Sequence, residues 1–324
     1  HSLASSKKAI YAAIAGNFAI AVTKFFGAAV SGSSAMLSEG IHSLVDTGNG
    51  GLLLLGIRRS KRPPDDDHPY GYGKSLYFYA LIVAVLIFGL GGGISLYEGI
   101  LHTLDPGHGG PTGATLFGVT VSGLTLNSAV LIAAIGFEGF ALRTALQEFN
   151  KQRGEKPLME AIRTSKDPTT FTVLFEDTAA MAGLVVALIG IHLAEWLNMP
   201  VIDGIASIVI GLILCGVAAF LVWESKQLLL GESADPEIRN SIREIAAADD
   251  DVDQVVRALT MHMGPYTVVL NMELAFAPDR TADQIEAAVD RLEKQIREAH
   301  SDIAYIFIEA ESLTRRKRSE EVAG

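Results

Sequence analysis

Cysteine is almost absent: the chain has one, Cys215, and it lies in an apolar run. A disulfide framework and a thiolate metal cluster are therefore excluded. A dominant basic stripe is also missing from this chain of net charge −11, which argues against nucleic acid as a partner. Neither a His-Glu-x-x-His pair nor a comparable one occurs, so metal-dependent hydrolysis of that kind has no carrier. No signal peptide is visible, because the first apolar run is too long and a second follows directly; His1-Ser2 reads as a trimmed start. Finally, Lys and Arg are absent near Ser31, from His102 to Gly113 and from Ile191 to Pro200.

What remains is long apolar sequence. The mean hydropathy of +0.31 includes a plainly charged last third, so the rest is apolar enough for a membrane protein. Runs near Lys8–Val30, Ala35–Ile57, Tyr77–Leu101, Leu116–Phe140, Asp167-Pro168 to Ile191 and Val201–Val222 each approach the roughly 20 residues a spanning helix needs. The tight Ser31-Gly32-Ser33-Ser34 connection predicts that the first two are antiparallel neighbours. Arg58 to Pro64 stops the second run, and glycines at 89, 91, 92 and 93 favour close helix approach in the third. Lys7, Lys8, the Arg58–Lys74 and Arg143–Lys166 groups and everything after Glu224 fall on one side. By the positive-inside rule both ends are then cytoplasmic.

The expected fold is a membrane all-α bundle of six transmembrane helices over residues 1–230, followed by a small cytosolic α+β domain over 231–312 and a basic, polar tail over 313–324. The α+β order is helix from Asp235, strands at Val252–Met263 and Tyr266–Phe276, helix at Thr281–His300 and strand at Ile303–Glu309, with Thr281 as helix cap. Alternation at Val268, Leu270, Met272 and Leu274 packs one sheet face on the helices and leaves the other for a second copy. His262 and His300 read as surface or capping residues.

The second run is the costly one. Glu39, His42, Asp46 and Asn49 recur three and four apart, so one helix face carries all four. Such groups must face a bundle interior or wet cavity, because each costs at least a few kcal/mol in hydrocarbon. Two readings stand: an interhelical hydrogen-bond cluster, or a cation site built on the His42/Asp46 chelating pair, which suits zinc. Lys24 in the first run either snorkels or pairs with a carboxylate. Glu176 and Asp177 in the fifth are natural partners for the second-run face. Asp65 and His68, in the loop before Lys74, form either a solvated acidic turn or a weak second cation site.

Together these residues resemble the cation diffusion facilitator family. The pattern covers Lys24 and Gly27, Ser34 to Leu37, Glu39 to Asp46, the His68-Pro69-Tyr70-Gly71-Tyr72-Gly73-Lys74 loop and a compact last domain. Ser165 to Pro168 and Leu174 to Ala180 bring it nearest the branch of the mitochondrial zinc transporter numbered nine. The resemblance implies a secondary transporter rather than an enzyme: a proton-coupled antiporter of divalent cations, zinc first, with manganese, iron or cobalt as alternatives. It implies His42, Asp46 and a fifth-span acid as metal ligands, a homodimer, and no resident cofactor. A bacterial cytoplasmic membrane is the expected location. A membrane metal sensor is the alternative from another class. The chain departs from the family where Leu174 and Thr178 stand near the usual fifth-span ligand positions. Asp177 lies one helical step away, and Glu176 points about 100° from it, so Asp177 is preferred. Glu39 and Asn49 are expected to line the ion path.

Overall fold

Long apolar runs close their backbone hydrogen bonds internally, the requirement for crossing lipid, and become long helices. The computed structural model describes residues 3–105, 113–116, 119–153 and 157–310. His1-Ser2, positions 106–112 of the third connection, 117–118, 154–156 and the tail from 311 lie outside the described residues. The order is α1 (Leu3–Ser31), α2 (Ser34–Ser60), α3 (Ser75–Leu86), a π-helical turn (Ile87–Gly93), α4 (Ile94–Leu104), β1 (Gly113–Leu116), β2 (Val119–Ser122), α5 (Gly123–Arg153), α6 (Leu158–Thr164), α7 (Pro168–Leu197), α8 (Val201–Leu230), α9 (Pro236–Ala247), β3 (Val252–Gly264), β4 (Thr267–Phe276), α10 (Ala282–Ala299) and β5 (Ile303–Ala310).

Among the described residues, five segments are long and apolar enough to cross a membrane: Ile14–Ser31, Ser75–Leu104, Gly123–Gln147, Phe171–Leu197 and Val201–Leu230. Their large exposed side chains, such as Phe137, Phe140, Leu212 and Trp223, suit a surface that meets lipid. α2 has comparable length but is not among the five, because Glu39, His42, Asp46 and Asn49 interrupt its apolar residues.

Several boundaries depart from the sequence expectation, among them the end of the sixth run, which stays helical to Leu230. The fourth run does not become helical at Leu116: β1 and β2 pair as a short antiparallel hairpin, and α5 starts only at Gly123. Threonine and valine dominate there, and β-branched side chains favour strand over helix. The fifth helix continues past Ile191 to Leu197, where Asn198 ends it in the left-handed conformation (φ 56°). The third run is continuous from Ser75 to Leu104 but widens to a π-turn at its glycines. Close approach occurs at one of these glycines, Gly92, where a Cβ would lie 3.1 Å from both the Cys215 nitrogen and the Gly211 carbonyl oxygen, and again at Gly99, where it would lie 2.7 Å from the Ile208 nitrogen and 2.8 Å from the Gly204 carbonyl oxygen. The backbones of α4 and α8 therefore touch through paired glycines.

Contacts divide the chain into two units, residues 1–58 with 76–226, and residues 59–75 with 227–324. The 59–75 loop thus belongs with the C-terminal elements, and Tyr70 meets the edge of the Tyr305 ring at 5.2 Å. In that second unit β4 is central, antiparallel to β3 and parallel to β5. Val268, Leu270, Met272 and Leu274 are buried in one core with Ile242 and Ala246 of α9 and Leu292 and Ile296 of α10. The other face leaves Leu259, Met261 and Phe307 exposed.

Thr281 caps α10 within a capping box completed by Gln284. Thr281→Ala is expected to cost about 1 kcal/mol, seen as roughly fivefold faster amide exchange in the first turn of α10. His300 caps the other end of α10 and meets the Ser241 hydroxyl at 2.8 Å. His262 is not a surface residue. It is buried, and its Nδ1–H donates to the Gly264 carbonyl at 3.2 Å.

Candidate metal site

Helical periodicity places Glu39, His42, Asp46 and Asn49 along one face of α2, and the bundle buries that face: Glu39, His42 and Asn49 are at most 1% exposed. Each group must therefore find a polar partner. Lys24 of α1 supplies one. Its Nζ lies 3.1 Å from Glu39 Oε2 and donates to the Ser43 hydroxyl at 2.7 Å, with Lys24 itself fully buried. The pairing alternative for Lys24 is thus the one adopted. Gly183 of α7 makes room for Glu39, since any side chain at that position would collide with Glu39 Oε1.

One turn further along α2, His42 Nδ1 lies 3.4 Å from Asp46 Oδ1. Both ring nitrogens of His42, Asp46 Oδ1 and Asn49 Oδ1 are buried without a hydrogen-bond partner among the described residues. Buried polar atoms are ordinarily satisfied, so this is a concentration of donor atoms with unmet coordination capacity. It is the chemistry a cation would satisfy.

α7 begins with Asp167 as N-cap, accepting from the Thr169 amide at 3.0 Å, and Pro168 at its first position. Glu176 is buried, and Asn49 Nδ2 donates to its Oε1 at 2.8 Å, joining α7 to α2. Asp177, the next residue, is only partly buried and feels the Glu138 carboxylate of α5. Asp46 in turn feels Glu176, Glu138 and Asp177. These four carboxylates sit on three helices, α2, α5 and α7. Among the described residues, however, no group of three or more His, Cys, Asp or Glu side chains is close enough to share one ion.

Glu138 was not singled out as a site residue by the sequence reasoning. It is 6% exposed. Its signal was plain, an acid within an apolar run, but nothing in the spacing tied it to α2.

Asp65 and His68 lie in the 59–75 loop, exposed. Asp65 Oδ2 accepts from the Tyr72 hydroxyl at 2.7 Å, and Oδ1 accepts from the His68 amide at 2.8 Å. The Tyr72 hydrogen bond holds the Asp65 carboxyl below the usual carboxylate range. The His68 ring packs on Tyr72 with centroids 4.2 Å apart.

An apolar bundle that buries a histidine and acid pair on its second helix is matched by a known family. The cation efflux transmembrane domain matches residues 10–230, which include α2 and α7 entire. The chain belongs to the cation efflux family. Members of this family are transporters, and the chain is an integral membrane protein. It is 29% identical over 325 residues to the mitochondrial proton-coupled zinc antiporter SLC30A9 of Mus musculus, covering 88% of this chain and 55% of that protein. The human protein of that name is 34% identical over 245 residues, covering 74% of this chain and 41% of its own length. The manganese efflux system protein MneP of Bacillus subtilis is 26% identical over 304 residues, covering 94% of this chain and 95% of that protein. The chain spans about half the length of the zinc antiporters it matches.

Proposed function

We propose that the chain exports a divalent cation, zinc first, in exchange for protons. The observation that carries this reading is the buried α2 face, where His42 and Asp46 present unpartnered donor atoms one turn apart and Asn49 reaches Glu176 of α7. One nitrogen with several oxygens suits zinc. The similarity to a manganese efflux protein supports manganese as the second reading. Iron and cobalt are the remaining alternatives for the same site.

In this reading α2 is a sixth spanning helix. Its polar residues face inward, and its length matches its neighbours. The Lys- and Arg-rich connections put both ends on the cytoplasmic side of a bacterial cytoplasmic membrane. His42 and Asp46 are the core of the metal site, Glu176 and Asp177 join them as ligands only by moving closer than they stand here, and Glu39 and Asn49 line the path. Ligands must be deprotonated to hold the ion, so release on the far side is accompanied by proton uptake. The exposed sheet face of the second unit, with Leu259, Met261 and Phe307, supports a homodimer. The Asp65/His68 turn is a weak site at most, since an ion there must displace the Tyr72 hydroxyl.

The Asn49–Glu176 hydrogen bond favours Glu176 for the larger share of binding, although family spacing favours Asp177. Titrating zinc into purified Glu176→Gln and Asp177→Asn variants separates the two. The expected result is an affinity loss of about tenfold or more for Glu176→Gln and a smaller one for Asp177→Asn. Full affinity in Glu176→Gln would return the preference to Asp177. Transport is tested in liposomes carrying an interior zinc dye and an imposed proton gradient; no accumulation by the unsubstituted chain would sink the reading.

A further inference from the structure

The first amides of a helix have no partner inside it. In α2 they find one on another helix. Asp203, in the first turn of α8, accepts from the Ser34 amide at 2.6 Å, the Ser33 hydroxyl at 2.8 Å and the Ala35 amide at 3.5 Å. The Ser33 hydroxyl in turn accepts from the Met36 amide at 3.2 Å. A carboxylate in this place both caps the helix and opposes its dipole. It is an N-cap delivered across the bundle, and Asp203 is buried.

A second group addresses the same carboxylate. His102 Nε2, in the last turn of α4, lies 3.8 Å from Asp203 Oδ2. A cavity of about 600 Å³ adjoins them, lined by Ser33, Ser34, Glu98, His102 and Asp105. The Ser34 hydroxyl is buried and has no hydrogen-bond partner among the described residues. The ionisable groups lining the cavity are Glu98, His102 and Asp105, all from α4 and its C-cap, whereas α1, the turn after it and α2 contribute Phe25, Ala28, Gly32 and Leu37. α7 meets this end of α8 through Gly190, against Ala206.

We propose that Asp203 is a positioning residue for the α2 site and that His102 governs it by taking up a proton. Asp203 holds the first turn of α2, and a rigid helix carries that constraint to Glu39, His42 and Asp46. Charged His102 pairs with the carboxylate and keeps the cap in place. Neutral His102 leaves the carboxylate to the α2 donors alone, and the first turn loosens. Histidine is the side chain whose charge ordinarily changes within the physiological pH range. This end of the bundle is opposite the basic connections, so, resting on the antiport reading, protons arriving there would close the latch behind the departing ion.

The test is amide exchange across residues 31–38 in the full chain in lipid nanodiscs, from about pH 5.5 to 8 and corrected for intrinsic exchange. In Asp203→Asn, exchange in the first turn of α2 is expected to quicken by about tenfold, the loss of a charge-assisted hydrogen bond. Asp203→Glu should recover part of the protection. In the unsubstituted chain, protection should fall as pH rises, and His102→Gln should abolish that dependence. Unchanged protection in Asp203→Asn would overturn the positioning role. A pH response in His102→Gln equal to that of the unsubstituted chain would overturn the proton control, and this variant decides the matter if Asp203→Asn does not fold. Exchange needs no transported ion, so failure to transport zinc would remove the antiport reading without touching this one.

Discussion

His42→Ala and Asp46→Ala are each expected to lower zinc accumulation by proteoliposomes on the order of a hundredfold or more. The two residues sit one turn apart on α2, with His42 Nδ1 3.4 Å from Asp46 Oδ1, and their buried atoms without hydrogen-bond partners are placed to share one ion. Removing the imidazole takes away the nitrogen that distinguishes a zinc site from an all-oxygen one. Removing the carboxylate takes away charge that offsets the cost of desolvating a dication. His42→Asp should behave differently from His42→Ala, retaining transport while shifting preference from zinc towards manganese. Initial rates in both ions, taken at one proton gradient, check all three variants. Rates equal to those of the unsubstituted chain in both alanine variants would mean the site lies elsewhere.

Lys24→Met is expected to destabilise the bundle by about 3–5 kcal/mol, the usual cost of leaving one member of a buried ion pair alone. Lys24 and Glu39 are both fully buried, so neither charge can turn to water when its partner is removed. Ser43 loses a hydrogen bond in the same step. A thermal melt in detergent, followed by tryptophan fluorescence, should show a fall of about 10 °C or more. Combining Lys24→Met with Glu39→Gln should recover most of the loss, because the uncompensated carboxylate is then gone. If the single and double variants melt together at the original temperature, the pair carries no structural energy.

Much of this architecture was legible from local pattern. Apolar run length located the helices that cross, and alternation located β3, β4 and β5, because both signals depend only on residues near one another in the chain. The same local rule put Glu39, His42, Asp46 and Asn49 on one face. It failed at Leu116, where an apolar run conceals a β-branched hairpin, and at Ile191, where a connection lacking Lys and Arg is largely more helix. His262 was misread as a surface residue because its burial comes from how the β3 end folds with the rest of its unit, which its immediate neighbours do not reveal.

The sequence by itself determined that a polar α2 must be buried in a bundle, and that His42 and Asp46 share one face of it. Hydrocarbon tolerates no other arrangement of those groups. Only the tertiary structure decided that Lys24 pairs with Glu39, that Glu176 rather than Asp177 reaches Asn49, and that Asp203 caps a helix some 170 positions away. Each of these depends on how one helix is rotated and slid against another. A one-residue step turns a helical side chain by about 100°, so adjacent acids with the same chemistry acquire different partners once the helices pack.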